Sequence, residues 1–186
     1  MIDSCRHTPQ LQRVNSGFTL VELMISAGLI GLVLGIGSLI VGGEFRREQV
    51  NTVAIELAAW LEGVRSASQR QPSSNPCVVT FSTTTPISVG ATLASVAPTS
   101  CSNEPSFTVR NISGAVTYAI ALNPATPTTL TFTPRGTVSA STNTDLRIQL
   151  SGTSVMRCVR LTATVGLIRI GSGSSTANDC SSYIVF

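Results

Sequence analysis

Lysine is absent from this sequence: all 12 of its basic residues are arginine. A Schiff-base lysine, a Ser-Lys dyad and a P-loop lysine are therefore excluded. Histidine is nearly absent too. His7, close to the amino terminus, is the only one, so a histidine-based triad or a multi-histidine metal site lacks the side chains it needs. Charge is scarce, at 11% of 186 residues, against 42% hydrophobic and a mean hydropathy of +0.32. That mixture is too apolar and too weakly charged for disorder. The net charge of +3 falls well short of a dedicated nucleic-acid binder. No C-x-x-C spacing and no G-x-x-x-x-G-K occurs, Asp145 and Asp179 read as isolated acids, and neither a metal nor a cofactor is expected. For want of catalytic groups, an enzyme is not expected either.

Proline is missing from Leu11 through Gln71, so nothing in that stretch forces a helix to stop. Between Glu22 and Glu44 lie 21 uncharged residues, LMISAGLIGLVLGIGSLIVGG. As a helix they span roughly 32 Å at about 1.5 Å per residue. A bilayer core is about 30 Å thick, so a single crossing is expected. A cleaved secretory signal would have a shorter apolar run of about 7 to 15 residues and an A-x-A-like exit. A buried core helix does not account for an apolar surface on every side.

From Glu44 the pattern becomes amphipathic. Val50, Val53, Leu57, Trp60 or Leu61, and Val64 recur at three and four, while Glu48, Thr52, Glu56, Glu62, Arg65 and Arg70 mostly lie elsewhere. One helix from about Thr19 to Arg70, roughly 78 Å long, is predicted. The alternative is two helices broken near Gly42-Gly43. Pro72 and Pro76 then close the helical region, and short alternating runs follow. Phe107 and Val109, Val116 to Leu122, and Leu146, Ile148 and Leu150 read as half-buried strands. Further candidates are Val78 to Ser82, Leu130 to Thr133, Val155 to Leu161, Leu167 to Ile170 and Tyr183 to Phe186. Gly171-Ser172-Gly173-Ser174-Ser175 reads as a flexible loop. The expected fold is α+β: a long amino-terminal helix, its first half transmembrane, whose apolar stripe packs on a small antiparallel sheet.

Cys5 precedes the apolar run, and Cys77, Cys101, Cys158 and Cys180 follow it. Four thiols in a small, strand-rich, extracytoplasmic domain favour two disulfides. Three pairings are possible. The local closures Cys77-Cys101 and Cys158-Cys180 are the preferred expectation, each contributing about 3 kcal/mol.

The segment Gly17-Phe18-Thr19-Leu20-Val21-Glu22 follows a short polar leader with Arg6 and Arg13 and runs directly into the apolar stretch. It resembles the processing site of class III signal peptides, found in type IV pilins and type II secretion pseudopilins. The resemblance implies that a prepilin peptidase cuts after Gly17 and methylates the new amino terminus at Phe18. It further implies a pilin-like fold and a single-pass inner-membrane protein with a periplasmic carboxyl-terminal domain, later part of a filament. An acid beside an apolar helix is costly in lipid, on the order of 2.5 to 3.5 kcal/mol for a charge at the helix centre. The resemblance supplies the partner of Glu22 in subunit assembly, the new ammonium of a neighbouring subunit's first residue.

Ile55 to Ala67 and Leu130 to Val138 are similar to the amphipathic stretch and mid-domain strand and turn of the GspH/FimT group of minor pilins and pseudopilins. By that resemblance the chain primes or caps a type IV pilus or a type II secretion pseudopilus together with other minor and major pilins. Some members of the group bind DNA in natural transformation through a G-R-x-R motif. The matching place here reads Gly166-Leu167-Ile168-Arg169, one arginine having become leucine. Arg169 and Arg160 remain as weak DNA contacts, and Arg157 and Arg160, if on one strand, project from opposite faces. A plain single-span membrane protein with a periplasmic binding domain is the competing class. Positive charge flanks the apolar run equally, Arg6 and Arg13 against Arg46 and Arg47, so orientation rests on the cysteines and the resemblance. The organisation expected is a leader over 1–17, a transmembrane and filament-core helix over 18–43, its amphipathic continuation over 44–71 and a disulfide-stabilised β-rich domain over 72–186.

Overall fold

In the computed structural model of the chain, residues 18–72, 74–82, 86–110, 117–174 and 179–185 are described. Two compact units form, Met1–Gly42 and Gly43–Phe186. Helix α1, Leu20–Ser68, belongs to both. Its helical backbone runs through Gly42 and Gly43, so the alternative of two helices broken at that pair is not realised.

In the first unit the helix is apolar on consecutive positions. Leu20, Val21, Leu23, Met24 and Ile25 are all more than half exposed, and so are Leu29, Ile30 and Leu32 to Leu34. Among the described residues, no helix is long and apolar enough to cross a membrane. The side chains of residues 36–42, inside the uncharged run, lie outside that description.

In the second unit the same helix is amphipathic. Val50, Val53, Leu57, Trp60, Leu61 and Val64 are buried. Trp60 and Leu61 both belong to the stripe because Ala54, Ala58 and Ala67 widen it past a single line of residues. Three hydrogen bonds fix the last turns of the helix, from Trp60 to Ser68, to the strands and loops beneath them. The indole Nε1–H of Trp60 donates to the Glu104 carbonyl at 2.9 Å. Arg65 Nε–H donates to the Gly136 carbonyl at 2.9 Å, and Ser68 Oγ–H to the Thr133 carbonyl at 3.0 Å.

Among the described residues ten strands follow: β1 Cys77–Phe81, β2 Ile87–Ser88, β3 Thr92–Ala97, β4 Ser106–Thr108, β5 Thr117–Asn123, β6 Thr129–Phe132, β7 Thr144–Leu150, β8 Val155–Leu161, β9 Ile168–Ser174 and β10 Asp179–Val185. They form two antiparallel sheets where the sequence suggests one, ordered β4-β3-β1-β6 and β10-β9-β8-β7-β5-β2. One core explains the difference. The helix stripe, Val79, Phe81, Leu130 and Phe132 of the smaller sheet, and Tyr118, Ile120, Leu146 and Ile148 of the larger one bury one another in a single cluster. One helix stripe thus serves both sheets.

The larger sheet turns its inner face to that core and leaves an outer face behind it. Alternation along β7 puts Leu146, Ile148 and Leu150 inside and Arg147 and Gln149 outside. On β9, Gly171-Ser172-Gly173-Ser174 is strand and not the flexible loop expected. The reason lies on the outer face: a Cβ at Gly171 would stand 2.6 Å from the Tyr183 ring, so glycine is what lets β10 fold its tyrosine over β9.

Candidate functional site

The amino-terminal motif is built around the start of α1. Phe18 precedes the helix and is 83% exposed; Gly17 lies outside the described residues. Thr19 is the N-cap. Its carbonyl accepts the first helical hydrogen bond, from Leu23 N–H at 3.1 Å, and its Oγ1 accepts the N–H of Glu22 at 3.3 Å. Thr19-Leu20-Val21-Glu22 has the S/T-x-x-E spacing of a capping box, in which threonine starts the helix and the acid sits at its third position. A carboxylate there faces the positive end of the helix dipole. Ser26 Oγ–H donates to the Glu22 carbonyl at 2.7 Å, so the backbone on either side of the acid is hydrogen-bonded. Glu22 itself is exposed, the only charged residue from Phe18 to Gly35, on a surface of leucine, isoleucine and valine. A surface apolar on every side is unstable in water and calls for lipid or neighbouring helices.

A second cluster of charge lies on the outer face of the larger sheet. Asp145 on β7 and Arg160 on β8 are directly opposite in register. Their forks meet with both bonds in place, Arg160 Nε to Asp145 Oδ1 at 2.6 Å and Nη2 to Oδ2 at 2.7 Å. Tyr183 closes the group. Its ring lies 3.8 Å from the Arg160 guanidinium carbon, and its hydroxyl donates to Asp145 Oδ2 at 3.3 Å. Asp145, read from sequence as isolated, is therefore a buried anchor: the hairpin between β7 and β8 brings its cation alongside. Arg169 on β9 pairs in register with Arg160, so the two arginines named as DNA contacts are neighbours. Arg160, however, is already engaged by Asp145. Arg157 points the other way, its Nε–H donating to Asn51 Oδ1 of α1 at 3.3 Å.

Disulfides join Cys77 to Cys101 and Cys158 to Cys180. The second straddles β9, since Cys158 is opposite Gly171 and Cys180 opposite Gly173. Its Cα atoms are 6.3 Å apart, less than the two strand spacings of about 4.8 Å that separate β8 from β10 in a flat sheet. The sheet therefore curls over the two glycines. Met156 and Tyr183 complete this small outer cluster with the cysteines.

Tyr118 is fully buried, and its hydroxyl has no hydrogen-bond partner among the described residues. Burial, and then the negative charge of Glu56, push its hydroxyl above the ordinary value of 10.0. An open groove of about 390 Å³ runs between α1 and β10, walled by Ile55, Ile170 and Ile184. Among the described residues no three His, Cys, Asp or Glu side chains come together as a metal site. Sequence reasoning passed over Thr19 as a cap, although the T-x-x-E spacing was there to read. It also passed over Tyr183, whose role depends on a strand pairing that no local pattern reveals.

Residues 12–38 match the family model of the prokaryotic N-terminal methylation motif. No curated protein and no solved structure matches the chain. The matched segment spans the leader junction, Phe18, the Thr19 cap and Glu22, and it supports a type IV pilin-like protein.

Proposed function

We propose that the chain is a minor pilin or pseudopilin of the GspH/FimT type, cut after Gly17 by a prepilin peptidase, methylated at Phe18 and built into a type IV pilus or a type II secretion pseudopilus. The observation that carries this reading is the match to the methylation motif over residues 12–38, with the acid at Glu22 standing in the first turn of a helix that carries no other charge before Glu44. Until assembly the helix over 18–43 is held in the inner membrane, with the disulfide-linked strands on the periplasmic side. On assembly, the ammonium released at Phe18 of a neighbouring subunit pairs with Glu22. Two charges that lipid disfavours are then neutralised together, which selects the axial register of the incoming subunit. The protein primes or caps the fibre with other pilins, and its work is mechanical and recognitive.

The absence of lysine gives this reading a direct test. Once the leader is removed, the α-amine of Phe18 is the only primary amine in the mature chain. An amine-reactive tag on unmethylated product is expected to add once per chain, at Phe18. Mass spectrometry of native product is expected to show a chain beginning at a methylated Phe18. Gly17→Val is expected to leave the leader attached. Glu22→Ala is expected to permit cleavage and abolish incorporation into the fibre. A native product still beginning at Met1, or Glu22→Ala entering the fibre at the normal level, overturns the reading.

A further inference from the structure

We infer that the groove between α1 and β10 binds a linear alkyl carboxylate, whose chain lies along Ile55, Ile170 and Ile184 and whose charge meets Arg157. The site shares no residue with the amino-terminal motif and stands apart from the assembly reading.

The apolar wall exists because the sheet is wider than its helix. Val159 on β8, Ile170 on β9 and Ile184 on β10 are opposite one another in register and so share the inner face. Along that row burial falls from complete at Val159, through a partly buried Ile170, to an Ile184 that is 75% exposed. Helix α1 covers the core end of the row and leaves the edge end open. Across the gap stands Ile55 of the helix, itself 41% exposed. The groove between them holds about 390 Å³, within the range of about 300 to 1,000 Å³ that small-molecule sites occupy. A further strand is a poor occupant. β10 is the edge of the sheet, but a bulge between Ser181 and Ile184, with Ser182 at φ 55°, turns that edge away from regular pairing.

The polar side of the groove is made of donors. Arg157 lies on the same inner face, opposite Ser172 of β9. It is half-buried, and its Nε–H donates to a neutral partner, Asn51 Oδ1, at 3.3 Å. No ion pair among the described residues includes it. A guanidinium stays charged, and the rest of its five N–H groups face no carboxylate of the chain. Asn51, its oxygen taken by Arg157, keeps its NH2 as a donor, and the Ser172 and Ser182 hydroxyls line the same groove. No acid lines it. A cation drawn partly out of water without a counter-charge is costly. A carboxylate removes that cost, because its two oxygens match the planar fork of the guanidinium. An alkyl amine would meet a like charge, and an alkyl alcohol would leave the arginine unneutralised.

Photolabelling tests this on the full-length chain in detergent, with decanoic acid carrying a diazirine near the end of its chain. Trypsin can cut this lysine-free chain only after arginine, so the two walls of the groove fall in fragments 48–65 and 170–186 and the apolar run in fragment 14–46. After reduction of the disulfides, saturable label is expected in 48–65 and 170–186. Excess decanoate is expected to displace it, with decanol much weaker and decylammonium without effect. Arg157→Gln is expected to lower labelling of the groove about tenfold, the loss of one hydrogen bond to a charged group, and Arg157→Lys to recover part of it. Ile184→Asp changes an exposed side chain and is expected to lower labelling as strongly, by placing a carboxylate against the ligand's own. If Arg157→Gln lowers the melting temperature, Ile184→Asp decides. Label confined to 14–46, displacement by decanol as complete as by decanoate, or native labelling of folded Arg157→Gln or of Ile184→Asp each overturns the inference.

Discussion

Tyr118 carries a hydroxyl with nothing to bond among the described residues, although its ring is one of the largest fully buried groups in the core. A buried polar group left unpaired costs about 1 to 3 kcal/mol, so deleting it is not a loss. Tyr118→Phe is expected to leave stability unchanged or raise it by up to about 1 kcal/mol, measured by denaturant unfolding. The pH dependence has a definite sign. Burial, then Glu56, raise the folded-state value above the ordinary 10.0, so the folded chain holds its proton longer than the unfolded chain does. Stability from this group is complete below about pH 10 and is lost as pH rises through the folded value. Tyr118→Phe is expected to flatten that alkaline decline, and an unchanged slope in the variant argues against the assignment.

At the scale of the element, two glycines predict opposite outcomes. Gly63 lies inside α1, and a methyl group added there would meet nothing within 4 Å. Gly63→Ala is expected to stabilise the helix by about 0.5 to 1 kcal/mol, because the unfolded chain loses freedom that the folded one does not use. Gly171 lies in β9 directly beneath the Tyr183 ring. Gly171→Val is expected to destabilise by about 1 to 3 kcal/mol through overpacking. It also displaces Tyr183 from Arg160, which a change in tyrosine near-ultraviolet dichroism reports.

The same two elements show how much the sequence made legible. The stripe from Val50 to Val64 could be read because a helix repeats its burial every three or four residues, whatever it packs on. β7 could be read for the same kind of reason, Leu146, Ile148 and Leu150 alternating with Arg147 and Gln149. β3 was missed because one of its alternating inner positions is the small Ala94 and Leu93 is buried next to it, where the pairing with β4 shifts register between Thr92 and Ala94. The first half of β9 was read as a strand, but its second half was misread as a loop because its outer positions are glycine, a composition that local rules assign to loops and that here makes room for another strand's side chain. Of the candidate sites, the amino-terminal motif was readable residue by residue. The union of Asp145, Arg160 and Tyr183 was not, since the three come from separate strands.

For the whole molecule, the disulfide between Cys77 and Cys101 closes a loop of 24 residues and ties β1 to the short turn Thr99–Cys101. Replacing both by serine is expected to cost about 3 kcal/mol, chiefly by freeing the unfolded chain. Guanidinium unfolding of the oxidised chain, compared with the Cys77→Ser/Cys101→Ser variant, measures it as a lower midpoint.

Sequence by itself determined the features that are local or periodic: the motif from Gly17 to Glu22, the proline-free helical stretch, the apolar stripe and most of the strands. Each follows from neighbours along the chain, through residue chemistry or a repeat of two or of three to four. Tertiary structure alone decided that the strands divide into two sheets around one helix, that β10 folds over the glycines of β9, and that three arginines share one face. Those outcomes depend on register between segments far apart in the sequence, and register is set by which apolar faces bury one another most completely.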